Sequence, residues 1–164
     1  MNYKEKLHLI TTFIFDVDGV LTDGKIILDP SGEQLRSMSV KDGLALRQAI
    51  KNGFKIAIIS GGKSQGLIKR FEHLNIQDVY LGCDDKKDAL NDFTHIYNIN
   101  TTQILYMGDD INDWEVMKEV GLACCPQDAA AEIKAISDYI SHKNGGEGCV
   151  RDVIEQTLKA QGKW

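Results

Sequence analysis

Phe13-Ile14-Phe15-Asp16-Val17-Asp18-Gly19-Val20-Leu21-Thr22 is the stretch on which the fold turns. An apolar run leads directly into two carboxylates spaced i, i+2, and a glycine follows at once. In extended backbone, residues two apart face the same side. Asp16 and Asp18 therefore address one small volume just past the C-terminal end of a strand. Like charges held that close need a cation or a shared proton between them. The pair reads as a Mg²⁺ site in which one carboxylate stays free for chemistry. An isolated D-x-D-G reads more readily as a turn. The strand before it, Val20-Leu21-Thr22 after it and matching strand ends downstream favour the site.

Outward from this stretch, strand-like runs alternate with helical patterns. The strand-like pieces are Thr12–Phe15, Lys55–Ile59, Asp78–Leu81, Gln103–Met107 and, more weakly, Gly121–Cys124 and Asp138–Ile140. Between them, Leu46, Ala49 and Ile50 share a helical face, as do Leu67, Ile68 and Phe71, and then Ala89, Leu90, Phe93, Ile96 and Tyr97. Asp42, Ser64 and Asp85 suit helix N-caps, and Asn52-Gly53 suits a helix stop. This alternation predicts an α/β fold: a Rossmann-like parallel sheet with helices on both faces. One segment, Lys25–Val40, breaks it. Lys25-Ile26-Ile27-Leu28, the turn Asp29-Pro30-Ser31-Gly32 and then Glu33 to Val40 read as a β-hairpin after the first strand. It is too short to be a cap domain, so residues 1–164 are expected to form one domain with this hairpin inserted.

In open parallel sheets, sites lie beyond the carboxyl ends of the strands. After the second sheet strand comes Ser60-Gly61-Gly62-Lys63-Ser64, where a hydroxyl and exposed backbone N–H groups at a helix start suit an anion. After the third comes Gly82-Cys83-Asp84-Asp85-Lys86-Lys87. A lysine in a helix's first turn opposes the helix dipole, which makes Lys86 or Lys87 a candidate phosphate ligand, with a solvated surface lysine as the alternative. After the fourth comes Gly108-Asp109-Asp110-Ile111-Asn112-Asp113. This second acidic loop completes the oxygen ligands that a Mg²⁺ bridging to phosphate needs.

Composition narrows the partners. The 164 residues carry a net charge of −5, with a pI near 5.3. That argues against a nucleic-acid or anionic-membrane surface but leaves room for a small anionic substrate at a local cation cluster. No apolar run reaches the length of a membrane span, and Met1 to His8 shows no signal-peptide core. Cys83, Cys124, Cys125 and Cys149 lack C-x-x-C spacing, which argues against zinc and for buried free thiols. A cytoplasmic location is expected.

With these motifs in order, the chain resembles the haloacid-dehalogenase (HAD) superfamily of phosphatases. Asp16 and Asp18 match its D-x-D, Ser60 its hydroxyl residue, Lys86 its lysine, and Asp109, Asp110 and Asp113 its G-D-D-x-x-D. Within the superfamily it is similar to the capless group acting on 8- and 9-carbon keto-sugar acid phosphates, and most of all to the 3-deoxy-D-manno-octulosonate 8-phosphate (KDO 8-phosphate) phosphatase family. The matching pieces are Asp16 to Gly24, Val40-Lys41-Asp42-Gly43, Asp85-Lys86 and Gly145-Gly146-Glu147-Gly148-Cys149-Val150-Arg151-Asp152. Two departures concern the substrate. That family usually carries Gly-Arg where this chain has Gly61-Gly62. The 9-carbon group carries a Glu at the Gly62 position and a Lys where His73 stands here.

The resemblance implies a Mg²⁺-dependent phosphatase of lipopolysaccharide precursor biosynthesis, with Asp16 as nucleophile forming an aspartyl phosphate. Asp18 is implied as general acid/base, and Mg²⁺ as held by Asp16, the Asp18 main-chain carbonyl and Asp109. Ser60, Gly61 and Lys86 are implied to bind the phosphoryl group, with Asp110 and Asp113 supporting the metal and Lys86 from behind. It further implies a homotetramer in which one subunit's hairpin closes a neighbour's site. Lys41, Arg70 and Arg151 are the candidates for the sugar-acid carboxylate, because arginine gives bidentate recognition. Three alternatives remain at this level: a 9-carbon acylneuraminate or KDN 9-phosphate phosphatase, a broad sugar-phosphate phosphatase, and a phospho-accepting signalling receiver domain.

Overall fold

The computed structural model describes residues 1–164. Thr12–Phe15 forms β1, and all four of its side chains are buried. Around it lie α1 (Tyr3–Leu7), the hairpin strands β2 (Ile27–Leu28) and β3 (Gln34–Leu35), α2 (Val40–Lys51), β4 (Lys55–Ile59), α3 (Gln65–His73), β5 (Asp78–Tyr80), α4 (Lys86–Tyr97), β6 (Ile104–Met107), α5 (Trp114–Met117), β7 (Leu122–Cys125), α6 (Ala131–Ile136), β8 (Tyr139–Ile140) and α7 (Cys149–Ala160). The main sheet runs β5-β4-β1-β6-β7-β8, with every pairing parallel.

Period-2 alternation along β1 divides the core. Phe13 and Phe15 enter a cluster with residues of α2, α3 and α7, while Ile14 enters the opposite cluster with residues of α4, α5 and α6. Both faces are covered, as apolar strands of a parallel sheet require. From β1 the chain builds β4 and β5 on one side and β6, β7 and β8 on the other. The strand order therefore reverses beside β1, and the crevice at such a switch point opens past the strand ends. Asp16, Ser60 and the Asp109 loop follow β1, β4 and β6 into that crevice.

Several local expectations are corrected. Asp42 is not an N-cap: Ser39 caps α2 by accepting from Lys41 N–H. Asp42 instead sits buried in the first turn and accepts from Arg151 N–H at 2.8 Å. Ser64 and Asp85 do cap α3 and α4, and α2 stops at Asn52-Gly53 with Gly53 at φ +83°. Ile68 and Ile96 are exposed, so the apolar stripes of α3 and α4 are narrower than their spacing implied. The weak seventh strand begins one residue later than expected, at Leu122, and β2–β3 pairing is confined to four residues. Cys124, Cys125 and Cys149 are buried free thiols, but Cys83 is only half-buried.

Candidate active site

Strand pairing stops at Phe15, but Asp16 keeps extended backbone and its N–H still donates to Met107 O at 3.1 Å. Its side chain lies on the floor of a cleft of about 420 Å³ lined by Asp16, Asp18, Gly24, Ser60, Gly61, Gly62, Asp109, Asp110, Ile111 and Asn112. Asp16 is 4% exposed, whereas the Asp18 side chain stands higher, 31% exposed. A tight turn over Val17–Leu21, with Gly19 at φ +84°, separates the two loops. The turn is buttressed by the glycine-rich tail. Gly146 N–H donates to Val20 O at 2.9 Å, and a Cβ on Gly145 would fall 2.0 Å from Gly19 O. Only glycine permits that approach.

Beneath the cleft runs a buried ionic chain. Lys86, whose side chain is 2% exposed, lies 2.8 Å from Asp16 Oδ2 and 2.7 Å from Asp113 Oδ1. Tyr106, fully buried at the end of β6, donates its hydroxyl to the same Asp113 oxygen at 2.5 Å. Asp113 Oδ2 accepts from Asp109 N–H at 2.9 Å and Asp110 N–H at 3.4 Å. Both Asp113 oxygens are thus committed to positioning Lys86 and the acidic loop. Lys87, the other lysine candidate, points outward to Glu119.

The charge balance of this floor is incomplete. Burial, then the nearby Asp113, pushes the Asp16 carboxyl up to about 7, although Lys86 pulls against that rise. Burial followed by Asp16, Asp113 and Asp110 pushes Asp109 up to about 8. Burial works against the charge on Lys86, but Asp113 and Asp16 outweigh it and hold its ammonium above the usual lysine range. Lys86 is therefore a firm cation flanked by carboxylates that repel one another. Oxygens of Asp16, Asp109 and Asp113 lie within 4.8 Å of one another. An all-oxygen donor set with surplus negative charge fits a hard divalent cation. Each Asp113 oxygen already takes two donors, whereas Asp16 takes one on each, from Val17 N–H at 2.6 Å and from Lys86, so Asp16 and Asp109 are the carboxylates with lone pairs left to hold it.

Ser60 is buried at the end of β4, and its Oγ accepts from Gly62 N–H at 3.2 Å. That leaves the hydroxyl hydrogen free for an anion in the cleft. Asp110 is occupied at the loop's helical turn, where it accepts from Ile111 N–H at 2.8 Å.

The basic candidates are not brought together. Arg70 lines a separate cavity of about 400 Å³ beneath the hairpin. Lys41 and Arg151 line a third, wholly polar one that Asp16, Asp18 and Asp109 do not enter. Arg151 Nε is engaged by Glu155 at 3.2 Å. Within one chain, Lys41 and Arg151 are therefore removed from the cleft by the position of α2 and α7. The residue that sequence reasoning missed is Arg36. Its Nε and Nη2 donate to Asp18 Oδ1 and Oδ2 at 2.7 and 3.1 Å, from the hairpin of the same chain. The spacing of the hairpin pointed to no individual side chain, and only the arginine's length and its place after β3 hinted at such reach. A receiver would carry its phosphorylated Asp after the third sheet strand, and that reading fails on placement, because Asp84, which follows β5, does not line the cleft.

Comparison with known proteins agrees with this geometry. Residues 79–154 match the haloacid dehalogenase-like hydrolase family. The chain is 39% identical over 158 residues to the 3-deoxy-D-manno-octulosonate 8-phosphate phosphatase of Salmonella typhi, covering 96% of this chain and 84% of that protein. The crystal structure of the Yersinia pestis phosphatase superposes with a TM-score of 0.96 at 35% identity, over 98% of this chain and 86% of that one. The Moraxella catarrhalis enzyme, solved with a magnesium ion, a phosphate ion and KDO, superposes with a TM-score of 0.94 at 37% identity, over 97% and 91% of the two chains.

Proposed function

Because this chain belongs to the 3-deoxy-D-manno-octulosonate 8-phosphate phosphatase family of haloacid dehalogenase-like hydrolases, we propose that it hydrolyses KDO 8-phosphate to KDO and phosphate with Mg²⁺ as cofactor. The observation that carries the reading is Asp16: a buried carboxylate on the floor of an open cleft, oriented by Lys86, with Asp18 above it.

The residues divide the work as follows. One Asp16 oxygen attacks phosphorus in line, and the bond from phosphorus to the sugar oxygen breaks. Asp18 gives its proton to that leaving oxygen, then takes a proton from the water that cleaves the aspartyl phosphate, releasing phosphate and restoring Asp16. Lys86 and the Ser60 hydroxyl, with backbone at Gly61, bind the transferring group. Asp113 and Tyr106 fix Lys86, so its ammonium needs no reorganisation when charge develops. Asp16, Asp109 and the main-chain carbonyl of Asp18 would hold Mg²⁺, which supplies positive charge against carboxylate–phosphate repulsion. Arg70 is retained as a substrate-binding residue.

A homotetramer is part of the proposal. Ile27, Leu28, Leu35, Val40 and Leu44 expose apolar surface along the hairpin and α2, which suits burial against a second copy. The hairpin also contacts its own chain's site through Arg36, so closing a neighbour's cleft is at most a second role. No helix is long and apolar enough to cross a membrane. The four free thiols fit a reducing compartment, and we place the reaction in the cytoplasm.

The test is kcat/KM on KDO 8-phosphate, a 9-carbon keto-sugar acid phosphate and neutral hexose phosphates. KDO 8-phosphate should be preferred by at least tenfold, and Asp16→Asn should abolish turnover while leaving the fold intact. Equal rates across the panel, or a fully active Asp16→Asn enzyme, would overturn the assignment.

A further inference from the structure

Arg36 is anchored more firmly than a surface arginine of a short hairpin should be. Its side chain is 4% exposed. Besides the two bonds to Asp18, its Nη1 donates to Gln34 O at 3.2 Å and its Nη2 to Gln34 Oε1 at 3.3 Å. Its seat depends on Gly62. A Cβ there would fall 2.9 Å from Arg36 Nη2 and 3.0 Å from Asp18 Oδ2. Gly62 has no positive φ, so its backbone would admit other residues. Glycine at 62 therefore serves space rather than conformation: a side chain there would push the tips of Arg36 and Asp18 aside. The guanidinium occupies the volume that a side chain at 62 would fill.

The position of Arg36 is equally particular. It lines the cavity beneath the hairpin together with Arg70. Arg70 too lies over a glycine, since a Cβ on Gly43 would meet its Nη2 at 2.7 Å. Of the residues lining that cavity, Arg36 is the one bonded to a catalytic carboxylate. The phosphoryl end of the cleft has its own cation in Lys86. Asp18 serves the leaving oxygen, so Arg36, on Asp18, stands where the leaving group must lie.

We infer that Arg36 is a specificity residue that recognises the carboxylate of the sugar-acid leaving group, and that Gly62 leaves it room. The inference rests on the reading of the reaction given above. In the free enzyme Asp18 fills the guanidinium fork, which shows that the fork accepts a carboxylate in bidentate geometry. On binding, the substrate carboxylate replaces Asp18 there. One carboxylate is exchanged for another, Arg36 is never left unpaired, and Asp18, released as a carboxylate, takes up a proton from solvent and can then donate it to the leaving oxygen. A sugar phosphate without a carboxylate offers no such exchange and leaves Asp18 tied to Arg36.

The experiment compares kcat/KM for KDO 8-phosphate, a carboxylate-free sugar phosphate of similar size and p-nitrophenyl phosphate. The proteins are wild type, Arg36→Ala, Arg36→Lys, Gly62→Ala and the Arg36→Ala/Gly62→Ala pair. Arg36→Ala should lose about 10- to 100-fold on the acid substrate, chiefly in KM, as expected for a charge-assisted bidentate contact. On the carboxylate-free sugar phosphate, where Arg36 otherwise keeps Asp18 tied, it should bring no loss and a gain in kcat, and p-nitrophenyl phosphate, whose good leaving group needs little acid assistance, should follow the same direction more weakly. Arg36→Lys keeps the charge but not the fork and should still lose most of the preference. It decides the matter should Arg36→Ala fail to fold. Gly62→Ala displaces the guanidinium tip and should lose part of the same preference, and the double variant should be no worse than Arg36→Ala alone, because both changes act on one interaction. Equal losses on all three substrates, or an acid preference that survives in both Arg36 variants, would overturn the inference while leaving the proposed reaction standing. A wild-type enzyme with no preference for the acid substrate would overturn the proposed reaction and this inference with it.

Discussion

Replacing Gly19 by alanine puts a methyl group where the Asp109 carboxylate now lies. The new Cβ would fall 1.9 Å from Asp109 Oδ2 and 2.4 Å from its Cγ. Such contacts are not sustained below 3.0 Å, so the carboxylate must retreat by about 1 Å or the turn must open. Misplacement of that size at a reacting centre costs about 100-fold in rate. A second, separate cost comes from the backbone, because Gly19 holds φ +84°. A left-handed conformation costs a residue with a Cβ about 1–2 kcal/mol, which lowers the melting temperature of a chain this size by about 2–8 °C. Gly53→Ala separates the two costs, since Gly53 has φ +83° but nothing within 4 Å of its Cβ position. It should lose the same stability and keep full activity. For Gly19→Ala the assay is kcat/KM on the natural substrate across a Mg²⁺ titration, with melting followed by circular dichroism. Activity should drop by about two orders of magnitude, and the Mg²⁺ requirement should rise. Wild-type activity with an unchanged Mg²⁺ midpoint would show that Asp109 does not hold the metal at this place.

Metal removal should both silence and destabilise the protein. EDTA should abolish turnover, and added Mg²⁺ should restore it and raise the melting temperature by relieving the repulsion between Asp16 and Asp109. The rise should be larger at about pH 8.5 than at about pH 6, because protons compete for the same oxygens. A melting curve indifferent to EDTA and Mg²⁺ would contradict the site. Asp42 gives a stability prediction away from the cleft. It is 1% exposed, and its Oδ2 has no hydrogen-bond partner. Burial pushes its carboxyl from 3.8 up to about 6, against the pull of the Arg151 N–H bond. The folded protein therefore binds this proton more tightly than the unfolded chain, so the charge costs stability above about pH 6 and nothing below about pH 4. Relative to wild type, Asp42→Asn should be up to about 3 kcal/mol more favourable at neutral pH than at about pH 4, with a constant offset from burying an unpaired amide N–H beside Oδ1. Urea unfolding of both proteins from about pH 4 to 8 should show that gap closing as pH falls. A gap independent of pH would refute the assignment.

The parallel sheet was legible because its evidence is local: an apolar run, a break and a helical period, repeated along the chain. The strand-end residues were legible for the same reason, since Asp16, Ser60 and Asp109 follow their strands within two residues and the sheet delivers all three to one crevice. Asp42 was misread because it has the chemistry of a cap. Ser39 lies three residues earlier with the same chemistry, and the choice between them was made by α7, whose Arg151 N–H needed an acceptor. Lys86 and Lys87 were indistinguishable as neighbours in a helix's first turn. The contact that separates them is to Asp113, 27 residues on. Arg36 was out of reach for a similar reason. Within the hairpin only Gln34 bonds it, through contacts of 3.2 and 3.3 Å that any arginine at a strand end could make. What draws it to the site is the coincidence of Asp18 on one loop and a missing side chain at Gly62 on another, and such a coincidence exists only once the strands have been assembled side by side. The specificity of the site thus lies in pairs of residues distant in sequence, whereas its reaction type lies in short motifs. The chemistry could be read from the chain, while the group that selects its substrate had to be read from the fold.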